Sequence, residues 1–340
     1  MVTSTGAVAP AGRRPGGPAR SMVRGLVGNQ QFMLLIALAA LVAYFTARAP
    51  VFLSNGELAN ILTDFCSLIL LGIGETYVIA SGGIDLSVGS ATSLSGVVGA
   101  FAMRSLLGSH QGEALVLFVG TLVCVSIGLA IGLTNAALIN WARLVPFVAT
   151  LAMLGGAAGL AIVISNGEPI GLDPRAISLT TAKLGPFSYP SLVVIAIVAA
   201  CWLSLHLTRY GRYTFAIGSN EFAARAAGID VRRHVTSVYA LSGALAGLAG
   251  MFVYMRLGSG APTAGLNDEL QAIAAVVIGG ASLYGGVARM SGTVLGTLII
   301  TTVTSGLIIS NVQANWDQVA VALLIAAAAA MQALRPARRA

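Results

Sequence analysis

From Gln31 onward the chain is a succession of apolar runs separated by short polar or glycine-rich breaks. Each run is close to the twenty or so residues a helix needs to cross a hydrocarbon core about 30 Å thick. Ten can be placed, at about residues 31–47, 58–80, 88–107, 114–139, 146–164, 191–207, 236–256, 269–283, 290–310 and 317–334, the eighth being the shortest. In lipid such a run must satisfy its own backbone hydrogen bonds, and a helix does so within one segment. The expectation is an all-α, polytopic membrane protein with about ten transmembrane helices. Composition agrees: 56% of residues are hydrophobic and 9% charged, where an ordinary soluble domain carries about a quarter charged residues.

The positive charges set the orientation. With the amino terminus inside, Arg13, Arg14, Arg20, Arg24, Arg143, the five arginines of residues 208–235, Arg289 and three carboxy-terminal arginines all fall on the inner side, 14 of the 19 basic residues. Basic residues concentrate in cytoplasmic loops, so both termini are expected in the cytoplasm. Residues 1–29, rich in Gly, Pro, Ala and Arg without apolar periodicity, read as a disordered basic tail. Residues 30–334 form the membrane domain and 335–340 a short basic end. Ala47-Arg48-Ala49 faintly resembles a signal-cleavage site, but the preceding tail is long for a signal peptide, which favours an uncleaved first span.

Several functions are excluded. There is no GxxxxGK[ST] loop for nucleotide phosphates, and the single lysine, Lys183, falls on an outer loop. No Ser/His/Asp set stands at catalytic spacing. His110, His206 and His234 are scattered, and Cys66, Cys124 and Cys201 sit inside apolar runs without metal-ligand spacing. Neither an enzyme, a metal site nor a bound cofactor is expected, and no basic stretch interleaved with aromatics points to nucleic acid.

Polar groups inside apolar runs carry the functional signal, because they are costly there. Asp64 and Glu75 lie in the second run, and Asp85 and Ser87 follow it in residues 82–90, GGIDLSVGS. The double glycine breaks the helix. Asp85 or Ser87 can then cap the next helix, or the break can line a polar pathway on which Asp85 or Glu75 meets solute hydroxyls. Glu75 stands away from any capping position. A second cluster, residues 276–286 (VVIGGASLYGG), is similar to the first and suggests two related five-helix halves. Gly128/Gly132, Gly243/Gly247 and Gly292/Gly296 place small residues one turn apart, a close-packing device from which one pair is expected at a subunit interface.

Residues 208–235, TRYGRYTFAIGSNEFAARAAGIDVRRHV, form the longest charged interval between runs. Asn220 suits an N-cap, Glu221 the positive helix end, and Gly228 a helix stop. Between them Ala223, Ala224, Ala226 and Ala227 are expected to present a low surface to a partner, with Arg225 among them. The alternative is a basic loop that only fixes topology.

Residues 82–90, 146–151 (PFVATL), 165–170 (SNGEPI), 211–228 (GRYTFAIGSNEFAARAAG) and 272–286 (AIAAVVIGGASLYGG), in that order, resemble the ribose-type sugar permeases of bacterial ABC importers over about residues 50–330. The resemblance implies a subunit of the bacterial cytoplasmic (inner) membrane that pairs with a second permease copy or paralogue. It implies an extracytoplasmic solute-binding protein that delivers a sugar, and ABC ATPase subunits docked on cytoplasmic loops. It also places Asn220, Ala224 and Gly228 in the coupling region, with Glu221, Ala223 and Arg225 beside them, and adds Asn166 of SNGEPI to Glu75, Asp85 and Ser87 as pathway candidates. The chain departs from the family pattern at Ala158-Gly159, where an arginine often precedes glycine, and at Glu75 and Glu168, where neutral residues are expected. The main rival is an ion-coupled secondary transporter using Asp64, Glu75 and Asp85, which would have no need of residues 208–235. A passive channel or scaffold leaves that segment equally unexplained.

Overall fold

The computed structural model describes residues 30–108, 112–171, 183–184, 187–313 and 315–333. The basic tails read at 1–29 and 335–340, and Asp173 and Arg175 of the loop after residue 171, lie outside the described residues. Twelve α-helices occur among those described: α1 Gln30–Arg48, α2 Asn55–Ala80, α3 Val88–Gly108, α4 Glu113–Asn140, α5 Pro146–Ser165, α6 Tyr189–Leu207, α7 Arg209–Ser219, α8 Glu221–Ala226, α9 Val231–Leu257, α10 Asp268–Ile278, α11 Met290–Ile309 and α12 Asn315–Ala333. A 3-10 turn at Pro50–Leu53 and two short antiparallel pairs, Ile170–Gly171 with Ser259–Gly260 and Lys183–Leu184 with Phe187–Ser188, complete the secondary structure among the described residues.

Seven helices, α1, α2, α4, α5, α6, α9 and α11, are long and apolar enough to cross a membrane. Three expected spans differ from that standard. Helix α3 has the length but buries Ser90, Thr92, Ser93 and Ser95, and α12 opens on Trp316, Asp317 and Gln318. Expected at 269–283, α10 has only 11 residues, about 16 Å at roughly 1.5 Å each, half of a bilayer core. Its chain enters through the strand at Ser259–Gly260 and an irregular segment to Asn267, and it stops at Gly279-Gly280, where Gly280 has φ +97°.

The centre is α9, packed on α2, α3 and α4. Small residues decide these contacts. A Cβ at Gly128 would overlap the carbonyl of Gly243, and one at Gly243 the carbonyl of Gly128. Gly132 meets Tyr239 and Gly243 in the same way, and Gly247 meets Cys124. Gly292 and Gly296 pack on Gly279 and Ala275 of α10. All three glycine pairs are therefore used inside the chain, which overturns the expectation that one lies at a subunit interface. A methyl-free surface suits close backbone approach in lipid, where no hydrophobic drive joins helices.

The two glycine clusters meet at one end of the bundle. The N–H of Gly286 donates to the carbonyl of Ala80 at 3.0 Å. Gly218, near the end of α7, lies between them: a Cβ there would overlap the Ala80 carbonyl and press on the Gly286 nitrogen. Gly82 (φ +87°) and Gly285 (φ +85°) both border Gly218 and lie against each other.

Candidate functional site

Chemistry-bearing residues gather in two places at that end. The first is buried behind the break between α2 and α3. After Ala80 the chain turns through Gly82 and Gly83 and dips back into the bundle, where Asp85 is 1% exposed. One oxygen of Asp85, Oδ1, accepts from the Ser87 N–H at 3.0 Å and the Ser87 hydroxyl at 2.7 Å. The Asn135 amide of α4 lies 3.4 Å from the same oxygen and donates more closely, at 2.7 Å, to the Ser87 hydroxyl oxygen. The other oxygen accepts from the Ser242 hydroxyl of α9 at 3.0 Å. Donation two residues on is an Asx turn rather than a helix cap, so Asp85 closes the break on itself and ties it to α4 and α9. On the outer side of the break, Thr150 of α5 donates to the Ile84 carbonyl at 3.2 Å.

Glu75 is different. It is fully buried one turn before the end of α2, and neither carboxyl oxygen has a hydrogen-bond partner among the described residues. Its electrostatic neighbours are two further carboxyls, Asp85 and Glu269 of α10. The Tyr239 hydroxyl, also buried, meets no side-chain partner among the described residues and lies against Gly83, where a Cβ would press into it. Asn135 keeps its amide oxygen unpartnered as well. Thus Glu75, Asp85 and Ser87 are brought together. Asn166 is not with them: it ends α5 in the left-handed region at φ 53°, exposed, at the end away from Thr150.

The second place is the surface formed by α7 and α8. Thr208 caps α7 by accepting from the Tyr210 N–H at 3.1 Å. Every third residue then turns inward, Gly211, Thr214 and Ile217, while arginines stay outside. The Thr214 hydroxyl meets His234 Nε2 at 2.8 Å, and the Tyr210 hydroxyl meets Ser237 at 3.0 Å, which fixes α7 on the start of α9. Asn220 Oδ1 caps α8 by accepting from the Ala223 N–H at 3.0 Å, and Glu221 pairs with Arg225 one turn on. The helix stops at Gly228, φ +83°, with the Ile229 N–H returning to the Ala224 carbonyl at 3.1 Å, a closure that needs a residue tolerant of positive φ.

One part of the expected surface is corrected. Ala224 faces inward, 4% exposed, against Ile217 and Val231. Ala223, Ala226 and Ala227 remain outside, and the residue that projects is Phe222, 86% exposed. Tyr284, in the loop carried next to Gly218, is 95% exposed.

A profile of the family described as "Branched-chain amino acid transport system / permease component" matches residues 57–328. The chain belongs to this permease family. The ribose import permease protein of Escherichia coli K12 is 39% identical over 296 residues, 86% of this chain and 90% of that one. The D-allose transport system permease protein of the same strain is 35% identical over 299 residues, 87% and 90% of the two chains. Its galactose/methyl galactoside import permease protein is 33% identical over 319 residues, 90% and 95%. In this permease the matched region takes in both the buried cluster and the α7–α8 surface. Sequence reasoning missed Phe222, although it is the one large apolar side chain in a short polar helix. It also passed over Asn135, a polar group at membrane depth whose cost was itself a signal. Ser242 and Tyr239 gave no comparable sign.

Proposed function

We propose that this permease is the membrane-spanning subunit of an ATP-driven importer carrying a sugar or sugar-like solute across the bacterial inner membrane. The observation that carries the reading is the match along nearly the whole chain to permeases named for ribose, D-allose and galactose. ATP hydrolysis falls to a cytoplasmic partner, and solute arrives from an extracytoplasmic binding protein.

In this reading the α7–α8 end is cytoplasmic, as the distribution of arginines requires. There are ten crossings with both termini inside. The eighth is completed by an extended segment followed by the half-helix α10, and the two glycine clusters mark related halves of the chain. Residues 208–235 are the coupling loop. In it Asn220, Glu221, Arg225 and Gly228 shape α8, Ala224 seats it, and Ala223 and Phe222 meet the ATPase. Asp85 and Ser87 hold the break between α2 and α3, Glu75 is the pathway carboxyl, and Asn166 lies on the extracytoplasmic face. A second copy or paralogue completes the transporter.

Reconstitution tests this. Vesicles holding the permease, its ATPase and its binding protein should take up sugar only with internal ATP, and an imposed ion gradient without ATPase should drive none. Gradient-driven uptake by the permease alone would establish the secondary-transporter reading instead. Cysteines placed at Gly167 should react with an impermeant reagent from outside and those at Ala223 should not; the reverse would overturn the orientation.

A further inference from the structure

At the end of the bundle that carries α7 and α8, an open groove of about 530 Å³ runs between the last turns of α4 and the first turns of α9. Trp141, Arg232 and Arg233 stand at its mouth, and Leu133 and Ala240 form its floor. Eight residues separate Leu133 from Trp141 and Arg232 from Ala240, about 12 Å along either helix. The groove therefore passes from a cationic head to an apolar floor. The polar groups in its wall are already spent. The Asn140 amide donates to the Arg232 carbonyl at 3.1 Å and to the Thr236 hydroxyl at 2.9 Å, Thr236 donates to the same carbonyl at 2.9 Å, and Ser237 donates to the His234 carbonyl at 2.7 Å. Arg233 is paired with Asp230 at 3.1 Å. The Arg232 guanidinium and the Trp141 indole N–H remain, neither with a partner among the described residues.

Both remaining groups are donors only, so an occupant that suits them brings acceptors at its head and an apolar body behind. Charge narrows the class. Arg232 and Arg233 against Asp230 leave the lining one positive charge, and Arg143, which borders the adjoining cavity together with Arg232, adds a second. We propose that the groove holds one anionic phospholipid of the cytoplasmic leaflet, its phosphodiester on Arg232 and Trp141 and an acyl chain over Leu133 and Ala240; the inference rests on the orientation given for the importer. Basic pockets between transmembrane helices on the cytoplasmic side suit such headgroups, and an exposed tryptophan stands at the depth where headgroups lie. Leu129 and Leu122, also exposed, carry the floor further along α4. A protein docking from the cytoplasm reaches the mouth but not a floor about 12 Å below it. The lipid would lie against the joint that fixes α7, since Ser237 of the groove wall is the residue that meets the Tyr210 hydroxyl.

The test takes the assembled importer from vesicles of equal parts phosphatidylcholine and phosphatidylglycerol and counts the lipids retained per permease by native mass spectrometry. Phosphatidylglycerol should be retained about fivefold over phosphatidylcholine, the preference expected from one arginine facing an anionic lipid. Arg232→Gln removes a side chain that holds nothing else in the fold and should bring the two lipids to parity. Ala240→Phe fills the floor, leaves the arginines in place, and should lower phosphatidylglycerol retention by a similar factor. Soluble glycerol phosphate at tens of millimolar should displace none of it. No preference in the parent, an undiminished preference in Arg232→Gln, or full retention in Ala240→Phe overturns the proposal. Displacement by glycerol phosphate also overturns it, and makes the groove a site for a free phosphate ester. Parity in the parent with ATP-driven uptake intact removes the lipid site alone, whereas a preserved preference without ATP-driven uptake removes the importer reading and leaves the lipid site standing.

Discussion

Replacing Asp85 by alanine and by asparagine should give very different proteins, because its carboxyl works as an acceptor for a fixed set of donors. Alanine leaves the Ser87 N–H and the Ser242 hydroxyl, both buried, without the oxygens now 3.0 Å away. A buried donor stripped of its partner costs about 1 to 3 kcal/mol, so the two together predict roughly 2 to 6 kcal/mol. Asparagine keeps an acceptor oxygen toward Ser87 and turns an amide NH2 toward Ser242, whose hydroxyl can rotate to accept. Only the charge-assisted part is then lost, about 1 kcal/mol. The measurement is the amount of monodisperse protein recovered from membranes and its thermal midpoint in detergent. Ser242→Ala should cost about 1 kcal/mol alone and little more on top of Asp85→Ala, since the two then share one lost bond. If asparagine proves as damaging as alanine, the negative charge matters and the geometric argument is wrong. If both variants fold like the parent and fail only in transport, Asp85 is a pathway residue and not a tie.

Phe222→Ala should lower retention of the ATPase on purified permease about 30-fold, the effect of losing an aromatic anchor worth about 2 kcal/mol, without changing permease stability; unchanged retention in co-purification removes Phe222 from the docking surface. Ala224→Leu forces extra carbons between Ile217 and Val231 and should cost about 1 to 3 kcal/mol of stability, read as a lower thermal midpoint, whereas Ala223→Leu should leave the midpoint in place. Glu75→Gln should leave the fold intact, because it replaces a buried carboxyl that stands beside two others, Asp85 and Glu269, by a neutral group of the same shape, and should lower uptake at least about tenfold; equal uptake at equal expression retires Glu75 from the pathway.

The sequence revealed what depends on local chemistry. The succession of helices followed from run length, and the start and stop of α8 from Asn220 and Gly228, because a cap and a positive φ are properties of a few adjacent residues. What depends on distant partners was hidden. Ala223 and Ala224 are the same residue type side by side, and only Ile217 and Val231 decide which one turns inward. The glycine pairs at 128/132 and 243/247 were visible, but nothing local says that they face each other. Helix α10 misled for another reason: an apolar stretch looks the same whether it crosses fully or supplies half a crossing after an extended segment. At the buried site Asp85 was legible as important, while its tie to Ser242, 157 residues on, was not.

The meeting of Gly82, Gly218 and Gly286 has a mechanical consequence. A joint built from side chains is compliant, since rotamers change before backbones move. Here the Ala80 carbonyl, the Gly218 backbone and the Gly286 N–H touch directly, with no side chain between them to absorb a displacement. A shift of α7 therefore carries the end of α2 and the loop before α11 with it. Phe222 lies three residues beyond α7, so a push on it enters this backbone contact at Gly218 and leaves it at Ala80, five residues after Glu75.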